Sequence, residues 1–216
     1  MEMIEADGLQ IHLNVIQELV MPEGDRDFRG LLERLQAIVE TVKCPVLVKE
    51  VGFGMARESV SKLLDTGISG IDVGGSGGTN FARIENARRE IPLDMFNEWG
   101  MTTVQSLLEV SSFFGKTDII ATGGIQNGME VAKALSLGAC AAGMAGFFLR
   151  LVTGRNEEES LAAIAALHEQ LRLVMSALGA EDITQLRHCP LVISGESYHW
   201  SRMRGIDCSV FSKRAW

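Results

Sequence analysis

The feature that most constrains this chain is an alternation repeated five times. A short apolar, β-branched run ends in polar or glycine residues, and an amphipathic segment follows. The runs cover residues 9–15 (LQIHLNV), 45–52 (PVLVKEVG), 70–75 (GIDVGG), 118–124 (DIIATGG) and 139–146 (ACAAGMAG). Helical spacing marks the segments between them. In residues 28–42 it joins Leu31, Leu32, Leu35, Ile38, Val39 and Val42. Residues 59–65 end near Gly67, a candidate C-cap, and residues 103–114 and 128–137 continue the series, the last stopping at Gly138. One long amphipathic helix is expected over residues 157–178, and the tail over residues 186–216 reads as irregular.

Strands that alternate with helices predict βαβ units and a parallel sheet in a single α/β domain over residues 1–216. Five units do not close an eight-stranded barrel, and a doubly wound open sheet is the alternative. Polar and glycine residues gather at the C-terminal end of every run. That is the catalytic face of a barrel and also the ligand face of an open sheet. The expectation is an incomplete (β/α)8 TIM-type barrel of about five units, with a C-terminal helix and tail.

Composition narrows the partners. Apolar residues form 46% and charged residues 22% of the 216, enough for one globular core. A net charge of −8 leaves no basic face for nucleic acid, yet backbone amides and helix N-termini still bind phosphates locally. Cys44, Cys140, Cys189 and Cys208 lie far apart without CxxC spacing, which argues against zinc and for reduced thiols. The sequence shows no signal peptide and no apolar run of spanning length, so a cytoplasmic chain without a membrane partner is expected.

Residues with chemical potential concentrate at the run ends. On a strand, Gln10, His12 and Asn14 share one face and Ile11, Leu13 and Val15 the other. Three inward polar positions need a ligand or a network; a polar edge strand is the bland alternative. Gln17 and Glu18 then fall at the strand's C-terminal end. Lys49 interrupts a run that otherwise reads as buried. Its partner is a bound electron-rich ring or phosphate, or internally Glu50 or Asp72. The glycine turns GGSGGTNF (residues 74–81), TGGIQNG (122–128) and AGMAG (142–146) follow strands, where backbone amides can approach a phosphate. Paired capture by the last two strand loops is a recurring barrel arrangement. Other features lean structural. His168 reads as surface, His188, His199 and Trp200 as interface packing, Phe96 and Trp99 as loop support, and Arg88 with Arg89 as a solvated helix end.

The segments QIHLNVIQE, PVLVKEVGFG, GGSGGTNF, TGGIQNG, GMAG and GESYHW together resemble the type 2 isopentenyl-diphosphate isomerase family across essentially the whole chain. Related FMN barrels such as the 2-hydroxy-acid oxidases share the late phosphate loops, but their catalytic histidine followed by arginine has no equivalent here. The resemblance implies a (β/α)8 barrel with FMN and Mg2+ that interconverts isopentenyl and dimethylallyl diphosphates. NADPH serves there only to reduce the flavin, and reduced flavin works in acid–base chemistry. It further implies that Gln17 contacts substrate near the reacting carbons as a proton relay and that Glu18 holds Mg2+. His12 and Asn14 would line the substrate pocket, with Lys49 facing the flavin ring. Thr79, Gly123, Gly124, Ala145 and Gly146 would hold the FMN phosphate and ribityl chain. Members of that family carry about three further strand–helix units before QIHLN. The chain is therefore expected to be a C-terminal portion that exposes two sheet edges, associates with copies of itself, binds FMN poorly and turns over little.

Overall fold

The computed structural model describes residues 2–215. In chain order the elements are β1 (Leu9–Leu13), α1 (Val15–Val20), α2 (Leu31–Thr41), β2 (Val46–Glu50), α3 (Arg57–Leu64) and β3 (Gly70–Asp72). There follow α4 (Phe81–Asn86), α5 (Thr103–Glu109), β4 (Asp118–Ala121), α6 (Gly128–Leu137), β5 (Ala141–Ala142) and α7 (Ala145–Gly154). The chain ends through α8 (Glu157–Leu178), α9 (Ile183–His188), α10 (Gly195–Met203) and α11 (Ser209–Ser212).

All five strands are parallel, and their spatial order is β1-β2-β3-β4-β5. A doubly wound sheet reverses its strand order at a switch point. None occurs among these strands, so the sheet is a segment of singly wound (β/α) barrel. The two sheet faces agree with that. Val48, Ile71 and Ile119 sit side by side in register and are essentially inaccessible beneath the helices. The opposite row, His12, Lys49, Asp72 and Ile120, faces what a barrel makes its interior.

Caps explain where several helices begin. Asn127 accepts from the Glu130 amide to start α6, and Gly138, at φ 128°, ends it. Asn156 and Glu159 form a reciprocal capping box at α8, as Thr102 and Gln105 do at α5.

Several expectations require correction. The first run is not one strand, because β1 stops at Leu13 and Asn14, with φ −131° and ψ 39°, turns the chain into α1. Val15 is therefore helical, and Gln17 and Glu18 lie in that helix rather than in a loop. Gln10 and His12 are exposed, on the face that the barrel turns inward, His12 toward the cavity. The tail is not irregular, since α9, α10 and α11 fold back on the body. Arg214 donates to the Ser136 carbonyl at 2.6 Å and the Leu191 amide to that of Phe211 at 3.0 Å. Trp200 is likewise engaged inside the chain, its indole donating to Glu109 at 2.8 Å. Finally, α8 is long and apolar enough, by length and composition alone, to cross a membrane. Its Leu171, Val174 and Met175 pack, partly buried, against Ala132 and Leu135 of α6, while Leu161, Leu173 and Leu178 stay exposed.

Candidate functional site

The C-terminal ends of β2, β3, β4 and β5 open into one cavity of about 640 Å³, within the range of small-ligand sites. Its floor is a polar network. Lys49 Nζ lies 3.1 Å from Asp72 Oδ2 and donates to Thr122 Oγ1 and to the Glu50 carbonyl, each at 3.0 Å. Thr122 in turn donates to Asp72 Oδ1 at 2.5 Å. The internal salt bridge to Asp72 is thus formed, while the Lys49 side chain stays 29% exposed toward the cavity.

The walls are glycine turns, and their geometry gives a sharper reason for glycine than close approach to a ligand. A Cβ on Gly123 would lie 1.9 Å from the Gly75 carbonyl oxygen, and one on Gly124 2.6 Å from that of Gly77. Both residues also have φ values, 112° and 77°, that favour glycine. The two turns interlock backbone to backbone, and Thr103 Oγ1 ties the second by donating to the Gly123 carbonyl at 2.6 Å. A third turn leads into α7, whose N-terminal residues Ala145 and Gly146 line the same cavity.

The sequence-derived residues therefore divide. His12, Lys49, Thr79, Gly123, Gly124, Ala145 and Gly146 line the cavity together. Asn14, Gln17 and Glu18 do not. They sit beyond the β1 tip, where Asn14 Nδ2 donates to Glu18 Oε1 at 2.8 Å and the Asp25 amide to Glu18 Oε2 at 2.9 Å. Packing of Ile16 and Val20 with Phe81 and Ala82 brings α1 to α4, and Gln17 Nε2 then donates to Glu85 Oε1 at 3.2 Å. Desolvation first, then the Lys49 ammonium, hold His12 below the usual imidazole range, against the opposing pull of Glu18.

Glu85 escaped the sequence reading, and so did the roles of several residues around it and the cavity. Glu85 is a buried carboxylate that also accepts from Arg88 Nη1 at 2.5 Å, and Arg88 bridges on to Glu23, so it is no merely solvated helix end. Nothing in the local pattern FARIEN marks Glu85, because its partners are 68 residues earlier and one turn later. Glu50 accepts from the amides of Gly52, Phe53 and Gly54 at 2.7, 2.6 and 3.1 Å, holding the turn that leads away from β2. Burial nevertheless pushes its carboxyl up to about 7. Phe96 packs with Val51 and Phe53, and Trp99 stands 5.9 Å from its ring, 57% exposed.

These residues fit the two groups a flavin barrel of this kind would hold. Glycine-lined amides and a helix N-terminus suit a phosphate, and a cation at the floor suits an electron-rich ring. Each oxygen of Glu18 accepts one hydrogen bond and keeps a lone pair. One carboxylate is what Mg2+ takes from a protein when phosphates and water supply the other oxygens.

A sequence model described as FMN-dependent dehydrogenase matches residues 21–192. An isopentenyl-diphosphate delta-isomerase of Bacillus licheniformis is 54% identical over 213 residues, covering 99% of this chain and 61% of that protein. One from a Geobacillus species is 53% identical over the same shares. The chain thus spans about three fifths of the length of the curated relatives it matches. Among solved structures, a Pediococcus acidilactici protein provisionally described as a lactate oxidase superposes with a TM-score of 0.60 at 22% identity, covering 81% of this chain and 43% of that one. A mandelate oxidase with (S)-4-hydroxymandelic acid gives 0.56 at 22% identity, over 72% and 39%. At that identity the likeness concerns the fold, and both agree with a barrel segment. Sheet order, cavity and sequence match converge, and the chain belongs to the FMN-dependent dehydrogenase family.

Proposed function

We propose that the protein this chain represents interconverts isopentenyl and dimethylallyl diphosphates with reduced FMN and Mg2+, NADPH supplying the reducing equivalents. The observation that carries the reading is Lys49 at the floor of a glycine-lined cavity, in a chain half-identical to isopentenyl-diphosphate delta-isomerases. When bound, reduced flavin would supply an electron-rich acid–base centre beside the double bond.

The chain's own residues divide the remaining work. Lys49, steadied by Asp72 and Thr122, places positive charge at the cavity floor, where negative charge on a flavin ring is stabilised. Thr79, Gly123, Gly124, Ala145 and Gly146 hold the phosphate and ribityl chain. Glu18 holds Mg2+ against the substrate diphosphate, and His12 and Asn14 border the substrate. An amide does not titrate near neutral pH. Gln17 therefore orients the substrate, and Glu85, hydrogen-bonded behind it, is the ionisable member of that pair.

With the sheet ending at β1 and β5, the cavity is walled on one side by this chain. We propose accordingly that the 216-residue chain alone binds flavin weakly, turns over little and self-associates in the cytoplasm. Light scattering checks the last point: a monomer at all concentrations removes it.

The deciding assay adds reduced FMN and Mg2+ and follows formation of dimethylallyl diphosphate. No turnover from a folded, flavin-loaded protein of the relatives' full length sinks the proposal. Glu18→Gln should weaken Mg2+-dependent substrate binding about tenfold and spare FMN, whereas Lys49→Ala should loosen the flavin by a similar factor. Two variants that behave alike would overturn this division of roles.

A further inference from the structure

Charge around the cavity is not distributed as the prominence of Lys49 suggests. Lys49 is paired at short range with Asp72, so its charge is balanced within the chain while its ammonium still faces the cavity. His12 is held below the usual imidazole range by burial and then by the Lys49 ammonium. Among the described residues that line the cavity none is a carboxylate, Asp72 lying just beneath Lys49 and Thr122. One formal charge is left over among the described lining residues, and it belongs to Arg150. Arg150 takes part in none of the ion pairs formed by the described residues. A free guanidinium facing a cavity is notable in a chain of net charge −8.

Its position follows from helix geometry. Arg150 is four residues after Gly146 on α7, and side chains on a helix lean toward the N-terminus. A Cβ built on Gly146 would lie 3.6 Å from Arg150 Nη1, so the guanidinium rests beside the first turn of α7. The N-terminal amides of this ten-residue helix, the positive end of its dipole and the Gly124 turn border the same space. A guanidinium and convergent amides suit a compact dianion, and a guanidinium presents paired donors to phosphate oxygens.

We infer that Arg150 captures the phosphomonoester of the flavin, and that Arg150 rather than Lys49 supplies the charge by which the protein prefers FMN to riboflavin. The inference rests on the flavin reading above and adds a residue and a selectivity to it. Lys49 acts on the ring, so its loss affects both flavins alike, whereas Arg150 acts only where a phosphate is present.

The test titrates oxidised FMN and riboflavin separately into wild type, Arg150→Ala, Arg150→Lys and Lys49→Ala by flavin fluorescence, with circular dichroism as a folding control. Arg150 is exposed, so its replacement should leave the fold intact. Wild type should prefer FMN, and Arg150→Ala should bind FMN about tenfold more weakly with riboflavin unchanged. Arg150→Lys should keep part of the preference, and added salt should weaken FMN more than riboflavin only where a cation remains at position 150. The inference is overturned if wild type shows no preference, if Arg150→Ala retains it, or if Lys49→Ala alone abolishes it. An Arg150 that meets the substrate diphosphate instead would give the second of these results. Phosphate-dependent flavin capture without isomerase turnover would sink the proposed reaction and leave this assignment standing.

Discussion

Glu50 and Glu109 are both carboxylates drawn into the body of the protein, and they behave in opposite ways. Glu50 stands beside the cavity among backbone amides, those of Gly52, Phe53 and Gly54. Burial lifts its carboxyl to about 7, and the amides only partly offset that. Glu109 lies on the helix side with its side chain fully covered. Burial pushes it up too, but Arg204 Nε at 2.7 Å, the Trp200 indole at 2.8 Å and the Arg57 amide together hold it below the usual range. Three neutral dipoles shape a turn without fully securing the charge, whereas a guanidinium carries a compensating charge into the interior. The first arrangement builds a cavity wall. The second fastens α10 to α5 and α3, with Arg204 reaching Glu58 as well at 2.5 Å.

The largest effect should come from breaking the helix-side site. Glu109→Ala takes the nearest carboxylate from Arg57, whose buried Nε has no hydrogen-bond partner, and leaves Arg204 held only by Glu58. Because both arginines are about a third exposed, the cost should fall near the low end for a broken buried pair, about 3 kcal/mol in urea unfolding. A cost under half of that would mean the charges relax into water.

Proton linkage offers the sharper contrast. A folded carboxyl raised above its ordinary 4.5 binds more protons than the unfolded chain does, so stability falls as pH rises from there to about 7. Glu50 should take away about 3 kcal/mol over that window, and Glu50→Gln should flatten the curve. Glu109 works the other way: its contribution is complete above 4.5 and is lost as pH falls through its lower folded value. Unfolding curves across pH in the two glutamine variants would separate the slopes, and slopes of the same sign would break the comparison. The smallest effect expected is from Trp200→Phe. It deletes one hydrogen bond to Glu109 while keeping the ring, for about 1 kcal/mol in the same unfolding measurement.

Much of the fold was legible because its determinants are local. Apolar spacing located α6 and α8 to the residue, and Gly138 marked a true helix end. The first run misled because Val15 continues its alternation, while the turn at Asn14 depends on how α1 packs against α4. The tail helices are short and weakly patterned, and their order comes from distant partners such as Glu109 and Ser136. The site divides in the same way. Lys49 and the glycine turns announce themselves as exceptions inside apolar runs. Glu85 and Arg150 look like ordinary polar residues on exposed helices until the fold sets one behind Gln17 and the other beside the cavity.

The interlocked turns also bear on how this cavity can change. A methyl group on Gly123 or Gly124 would run into the backbone of Gly75 or Gly77, and one on Gly75 into that of Thr103, so a substitution at any of these three obliges the facing backbone to move. Variation by single steps is blocked there. A protein engineer seeking another phosphorylated ligand would do better to leave the rim alone and draw diversity from Gln126, Phe147 and Arg150, which border the same space from the solvent side.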